Sequence, residues 1–164
     1  MVLDSSSADM RGVHNILAML KNSAGFTAEQ ITALHIIGGN SFAYCTNLKN
    51  LSFEDGIYEL KFNKYSISSA CFEACPIETL YLGRTIYCPF YKPFGNLSNL
   101  TKVTIGHYVT RLCSELFSEA ELLSEIVIPA SVICIEPYVF MNCRQLNKVV
   151  FEDGGNYSAV ALLP

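Results

Sequence analysis

The sequence predicts an α/β solenoid: a parallel β-sheet of about six short strands, one per coil, behind an N-terminal helical cap. Two observations carry the prediction. A phrase of the form Phe-x-x-(small or apolar)-x-x-Leu-x-x-Leu-x-Leu recurs five times, opened by Phe42, Phe72, Phe94, Phe117 and Phe140. The last three copies begin 23 residues apart, and the step from Phe72 to Phe94 is 22. A period of that length marks chains in which each unit buries its apolar face only against its neighbours. The chain returns the same way in every unit, so strands one unit apart must run parallel.

The cap comes first. Residues 10–22 carry Met10, Val13, Ile16, Leu17 and Leu20 at helical spacing on one stripe, with Asp9 as N-cap and Asn22 or Gly25 as the stop. Such a helix covers the apolar end of a repeat stack. Thr27 and Gln30 suit a capping box for a further short turn. Residues 1–30 are therefore read as a tail and cap, 31–154 as the solenoid, and 155–164 as a tail or the start of another repeat.

Strands are expected around 34–36, 51–53, 80–82, 103–105, 126–128 and 149–151. Their ends step by 17, 29, 23, 23 and 23 residues. Within each phrase the apolar residues at +3 and +5 face inward, as Leu51 and Phe53 do relative to Leu48, and the residue between them faces outward. A second apolar pair lies eight and five residues before the ring, at Ile86 and Pro89, Val109 and Leu112, and Val132 and Ile135. These pairs predict a second extended side, after which the ring and its followers turn the chain in a short helical turn or loop. The 29-residue step holds an insertion near 57–66, expected to be a protruding loop or a small extra strand pair. The apolar end GGNYSAVALLP has no polar cap after it, which fits a cut from a longer chain, a fold-back, or a contact surface.

Composition excludes several classes. Net charge is −4 and the 11 basic residues are scattered, so the basic stripe of a nucleic-acid binder is missing. No run of 18 apolar residues exists, which argues against a membrane span. MVLDSSSADM lacks the basic and apolar regions of a secretory signal. Seven cysteines are an odd number. Cys45, Cys75 and Cys143 share a repeat column with Leu97 and Ala120, which reads as a small buried apolar slot holding reduced thiols. The column partners of Cys75 are taken not to be cysteines. Cys71 and Cys75 lack a second ligand pair, so no metal is expected. His14, His35 and His107 fall in the cap, a strand and a turn, and no phosphate loop or nucleophile motif occurs. The reading is therefore non-enzymatic, without cofactor, and an enzyme would need a pocket that joins a histidine to a carboxylate.

The expected functional surface is the outward sheet face. One column runs His35, Ser52, Tyr81, Thr104, Val127 and Val150; its neighbour runs Ala33, Asn50, Thr79, Lys102, Glu125 and Lys148. The first is short, uncharged and apolar over its C-terminal half, with Tyr81 as an anchor, and the second mixes charges. Tyrosines Tyr81, Tyr87, Tyr91 and Tyr108 gather nearby, suited either to recognition or to lateral packing.

These phrases resemble the BspA-like (Treponema pallidum-type) leucine-rich repeats, whose pattern is Leu-x-x-Ile-x-Ile-Pro, Ser-Val-x-x-Ile, Ala-Phe-x-x-Cys-x-x-Leu. LSEIVIPASVICIEPYVFMNCRQL (123–146) matches nearly in full, and the resemblance covers about 31–154. Pro89 stands where the family has an aliphatic residue, and Pro93 and Leu116 where it has small ones. The resemblance implies a right-handed solenoid with the sheet on its concave side. It also implies an extracellular or cell-surface protein without catalytic residues that adheres to a host or matrix protein. Self-association or scaffolding through the C-terminal end is the alternative partner mode.

Overall fold

Apolar residues recur in each unit at one turn and along two short extended sides, and the computed structural model places parallel strands on those sides. It describes residues 2–3, 33–36, 45–61, 72–88 and 92–155, and for 2–3, 33–36 and 61 the backbone alone. The expected cap helix over 10–22, the turn at Thr27 and Gln30, Phe42, Cys71, residues 62–66 and 89–91, and the tail 156–164 lie outside the described residues.

The strands follow in chain order: β1 (Val2–Leu3), β2 (Ala33–Ile36), β3 (Asn50–Phe53), β4 (Leu60–Lys61), β5 (Thr79–Leu82), β6 (Ile86–Tyr87), β7 (Lys102–Ile105), β8 (Arg111–Leu112), β9 (Glu125–Ile128), β10 (Cys134–Ile135) and β11 (Lys148–Phe151). Every pairing among them is parallel. Strands thus stand at all the positions that the repeat indicates, and Val2–Leu3 adds one, beside β2, that the sequence pattern did not suggest.

The expected single sheet needs correcting. β1, β2, β3, β5 and β7 share one hydrogen-bonded sheet, whereas β9 and β11 form another. β9 packs beside β7 without joining its ladder. Side-chain periodicity fixes which residues face inward; it does not fix whether neighbouring amides and carbonyls align closely enough to bond.

The second sides pair as β4 with β6 and β8 with β10. Part of the insertion belongs here: Leu60 is buried and its strand pairs with the next coil, neither a protruding loop nor a self-contained strand pair. Ile57 and Tyr58, just before it, are exposed.

Packing follows the repeat columns. Leu48, Ile77, Leu100 and Leu123 are buried at the start of each phrase, and Leu51, Phe53, Leu80, Leu82, Ile105, Ile126 and Ile128 are buried on the strands. Phe72, Phe94 and Phe117 lie fully inside. The Phe72 and Phe94 rings are 5.7 Å apart, and Phe53 reaches from its strand to within 6.1 and 5.9 Å of them. Phe117 stacks on Phe140 at 5.7 Å. Contacts of this kind add about 0.5–1.5 kcal/mol each to the gain from area burial.

Left-handed residues flank the rings, and Phe117 and Phe140 have one on each side. Lys92, Glu115 and Tyr138 have positive φ two residues before a ring, and Ala74, Glu119 and Asn142 two residues after one. Single left-handed residues stop a helix from propagating, which is why tight turns, not helical turns, carry the chain back; no helix occurs among the described residues. Coil spacing at the strand ends is equally tight. A Cβ on Gly83 would meet the Phe53 carbonyl oxygen at 2.4 Å and the Asp55 nitrogen at 2.5 Å, so only glycine fits there.

Polar clasps close the coil edges. Lys92 pairs with Glu119 at 2.6 Å. The Glu136 carboxylate accepts from the Ser114 amide at 2.9 Å and from Arg111 at 3.1 Å. Thr85, buried, accepts the Thr110 amide at 2.8 Å.

Stacking predicts graded costs. Phe117→Ala is expected to lose about 3–5 kcal/mol in urea denaturation, and Phe140→Ala, whose ring is only partly buried, distinctly less. Equal losses, or wild-type melting of Phe117→Ala, would contradict the ring ladder.

Candidate functional site: the outward sheet face

Parallel register sets the expected columns side by side, in two blocks. In the first sheet His35 pairs with Ser52, Ser52 with Tyr81 and Tyr81 with Thr104, while Ala33, Asn50, Thr79 and Lys102 form the adjoining row. In the second, Val127 pairs with Val150 and Glu125 with Lys148. The two six-residue columns are therefore interrupted between Thr104 and Val127, and between Lys102 and Glu125, because β7 and β9 share no ladder.

Side chains along these rows differ in how firmly they are held. The Thr79 hydroxyl donates to Asn50 Oδ1 at 2.6 Å, and Lys148 pairs with Glu125 at 3.0 Å. Lys49 and Glu78, just outside the row, pair at 2.8 Å. All are solvent-exposed ion pairs or hydrogen bonds, worth little for stability, but they define a charged border. Val127 and Val150 are 49% and 38% exposed, an apolar step between charged neighbours. Thr104 and Lys102 are also exposed.

Tyr81 is pinned, which the sequence pattern did not reveal. Its hydroxyl donates to Asp55 Oδ1 at 2.6 Å. Asp55 sits in the FEDG turn after β3, and Arg84 grips that turn: its Nε donates to the Glu54 carbonyl at 2.7 Å and its terminal nitrogen to the Asp55 carbonyl at 3.1 Å. Gly106 leaves room beneath, since a Cβ there would lie 3.0 Å from the Asp55 carboxylate and 3.1 Å from the Tyr81 hydroxyl. The repetition of FEDG at 53–56 and 151–154 was the available signal for Asp55; Arg84 had none. The hydrogen bond to Asp55 pushes the Tyr81 phenol above its ordinary 10.0, because a phenolate would face a carboxylate.

Of the histidines, His35 alone among the described residues belongs to this face. His107 is exposed in a turn, and His35 lies on β2. Among the described residues no group of three or more His, Cys, Asp or Glu could hold a metal ion, and no helix is long and apolar enough to cross a membrane. Tyr87 and Tyr108 are exposed, so neither packs in the core. The six described cysteines stand as thiols. Burial, foremost, pushes Cys113 up to about 12. Cys75 is raised as well, first by its side-chain hydrogen bond with Cys45. The expectation that the column partners of Cys75 are not cysteines is thus wrong: Cys45, which the repeat places in the same column, lies in the adjoining coil.

A parallel solenoid with a ring-anchored turn and two outward sheet residues per coil defines a leucine-rich-repeat protein. Residues 22–147 match the BspA-type leucine-rich repeat region in six copies, and the chain belongs to that family, a class of repeat modules for protein interaction. Among solved structures it is similar to a leucine-rich cell surface protein of Faecalibacterium prausnitzii A2-165, with 16% identity and a TM-score of 0.35 over 78% of this chain. The match covers 50% of that protein's chain, so the present chain spans about half its length. No curated protein matches.

A raised folded-state pKa means that the Tyr81 contribution to stability is complete below about pH 10 and is lost as pH climbs through the raised value. Spectrophotometric titration of wild type against Tyr81→Phe should show one tyrosine ionising late. Asp55→Asn should bring that step back toward the ordinary range; an unchanged step would refute the pairing.

Proposed function

We propose that this chain is a non-catalytic module that takes a protein ligand on the outward sheet face, as a cell-surface or secreted adhesion domain facing a host or matrix protein. Family membership supports the interaction class, and extracellular or cell-surface placement rests on the same resemblance. The observation that carries the choice of face is the register of exposed Val127 and Val150 beside the Glu125 and Lys148 pair. An apolar centre with a charged rim is the arrangement in which a few side chains supply most of the binding energy. Tyr81 would act as a second anchor, held in one orientation by Asp55, so that little freedom is lost on binding. Thr104 and Lys102 would line the surface between the two, with Thr79, Asn50 and Ser52 beside and beyond Tyr81.

The test is adhesion of the intact chain to immobilised matrix-protein extract. Val127→Asp with Val150→Asp should weaken retention roughly tenfold or more while the melting temperature holds. Retention equal to wild type would remove this face as the site.

Self-association through the C-terminal end is a second reading, favoured by one observation. Phe140, Cys143, Leu146 and Phe151 are only partly buried, unlike their described equivalents in earlier coils. Concentration-dependent mass in light scattering is expected if that end pairs; a constant monomer mass would end the idea.

A further inference from the structure

Two thiols meet in the interior where nothing in the proposed function uses them. Cys45 and Cys75 each open the turn that leads into a strand, with the Leu48 amide bonded to the Cys45 carbonyl at 2.9 Å and the Ile77 amide to the Cys75 carbonyl at 2.9 Å. Both side chains are buried, at 1% and 2% exposure. A few residues further on, the two coils are locked together: the Glu78 and Thr79 amides bond to the Lys49 carbonyl at 2.7 and 3.0 Å, and β3 pairs with β5 from Asn50 and Thr79 onward. The cysteines therefore occupy one column of adjacent parallel coils. Such coils lie roughly 4.8 Å apart, inside the window of about 4.4–6.8 Å between Cα atoms that a disulfide spans. The two thiols already interact side chain to side chain. Cys143 shares the column, yet the coil before it carries Ala120 there.

We propose that Cys45 and Cys75 are a modification site: an intercoil disulfide that covalently staples two successive repeats. The oxidant is a small-molecule disulfide of the glutathione type. One cysteine, as thiolate, attacks a sulfur of the oxidant and expels one thiol; the second attacks the resulting mixed disulfide and expels the other. The pair gives up two electrons and two protons, and the oxidant becomes two thiols. Both cysteines are buried, so exchange takes place during folding or when the turn opens. The bond would close a loop of about 30 residues, which restricts the unfolded chain and so favours the fold. It would span the irregular step of the solenoid, where the insertion separates the two coils in sequence.

The experiment refolds the full chain in a mixture of reduced and oxidised glutathione, blocks remaining thiols under acid quench, and maps the peptides by mass spectrometry. A Cys45–Cys75 crosslinked peptide is expected, together with a melting temperature that falls on reduction. In Cys75→Ala the crosslink and that fall should both be absent. Recovery of Cys45 and Cys75 as separately blocked thiols, or their linkage to other cysteines instead, would overturn the proposal. The wild-type peptide map decides the matter even if the variant fails to fold.

Discussion

Everything in this molecule depends on parallel coils lying in register, each covering the apolar interior of the one before. No coil has a core of its own. Phe72 is covered by Phe53 and Phe94, Leu80 by Leu51 on one side, and the strand carbonyls by amides one repeat later. Burying rings and aliphatic side chains in this way yields about 25 cal/mol for each Å² of apolar surface removed from water, and it does so only if the next coil arrives at the same height. Hydrogen bonding enforces that height, since the paired strand amides and carbonyls of one coil find their partners on its neighbours.

Constraint at the turns follows from the same requirement. The chain must reverse within a few residues while a phenylalanine points inward. It does so by placing left-handed residues on both sides of the ring, at non-glycine positions such as Glu115, Glu119 and Tyr138. Each such residue costs roughly 1–2 kcal/mol, and burial of the adjacent ring offsets that cost. Charged pairs at the edges, such as Lys92 with Glu119, link turns of successive coils at positions where the strands do not.

An interior consumed by stacking leaves the outside free to vary. Outward residues of the strands bear no packing role, which is why Thr104, Val127 and Val150 can differ in character while the columns beneath them stay apolar. The polar pin between Tyr81 and Asp55 is the exception, because it fixes an outward side chain through the turn of the preceding coil. A surface made of two adjustable residues per repeat is suited to broad contact with another protein.

Sequence alone determined the repeat, its parallel direction, the inward columns and the outward ones, because all of these follow from periodicity: a residue's place in the phrase decides which way it points. Leu123, Ile126 and Ile128 were legible as core, and Val127 as surface, before any coordinates. Only the tertiary structure decided where the sheet breaks between β7 and β9, that Leu60 joins the second side, that Arg84 and Asp55 hold Tyr81, and that Cys45 meets Cys75. Each of these rests on contacts between residues whose separation departs from the period or on backbone alignment to within a few tenths of an ångström, and neither leaves a trace in a pattern of apolar and polar letters.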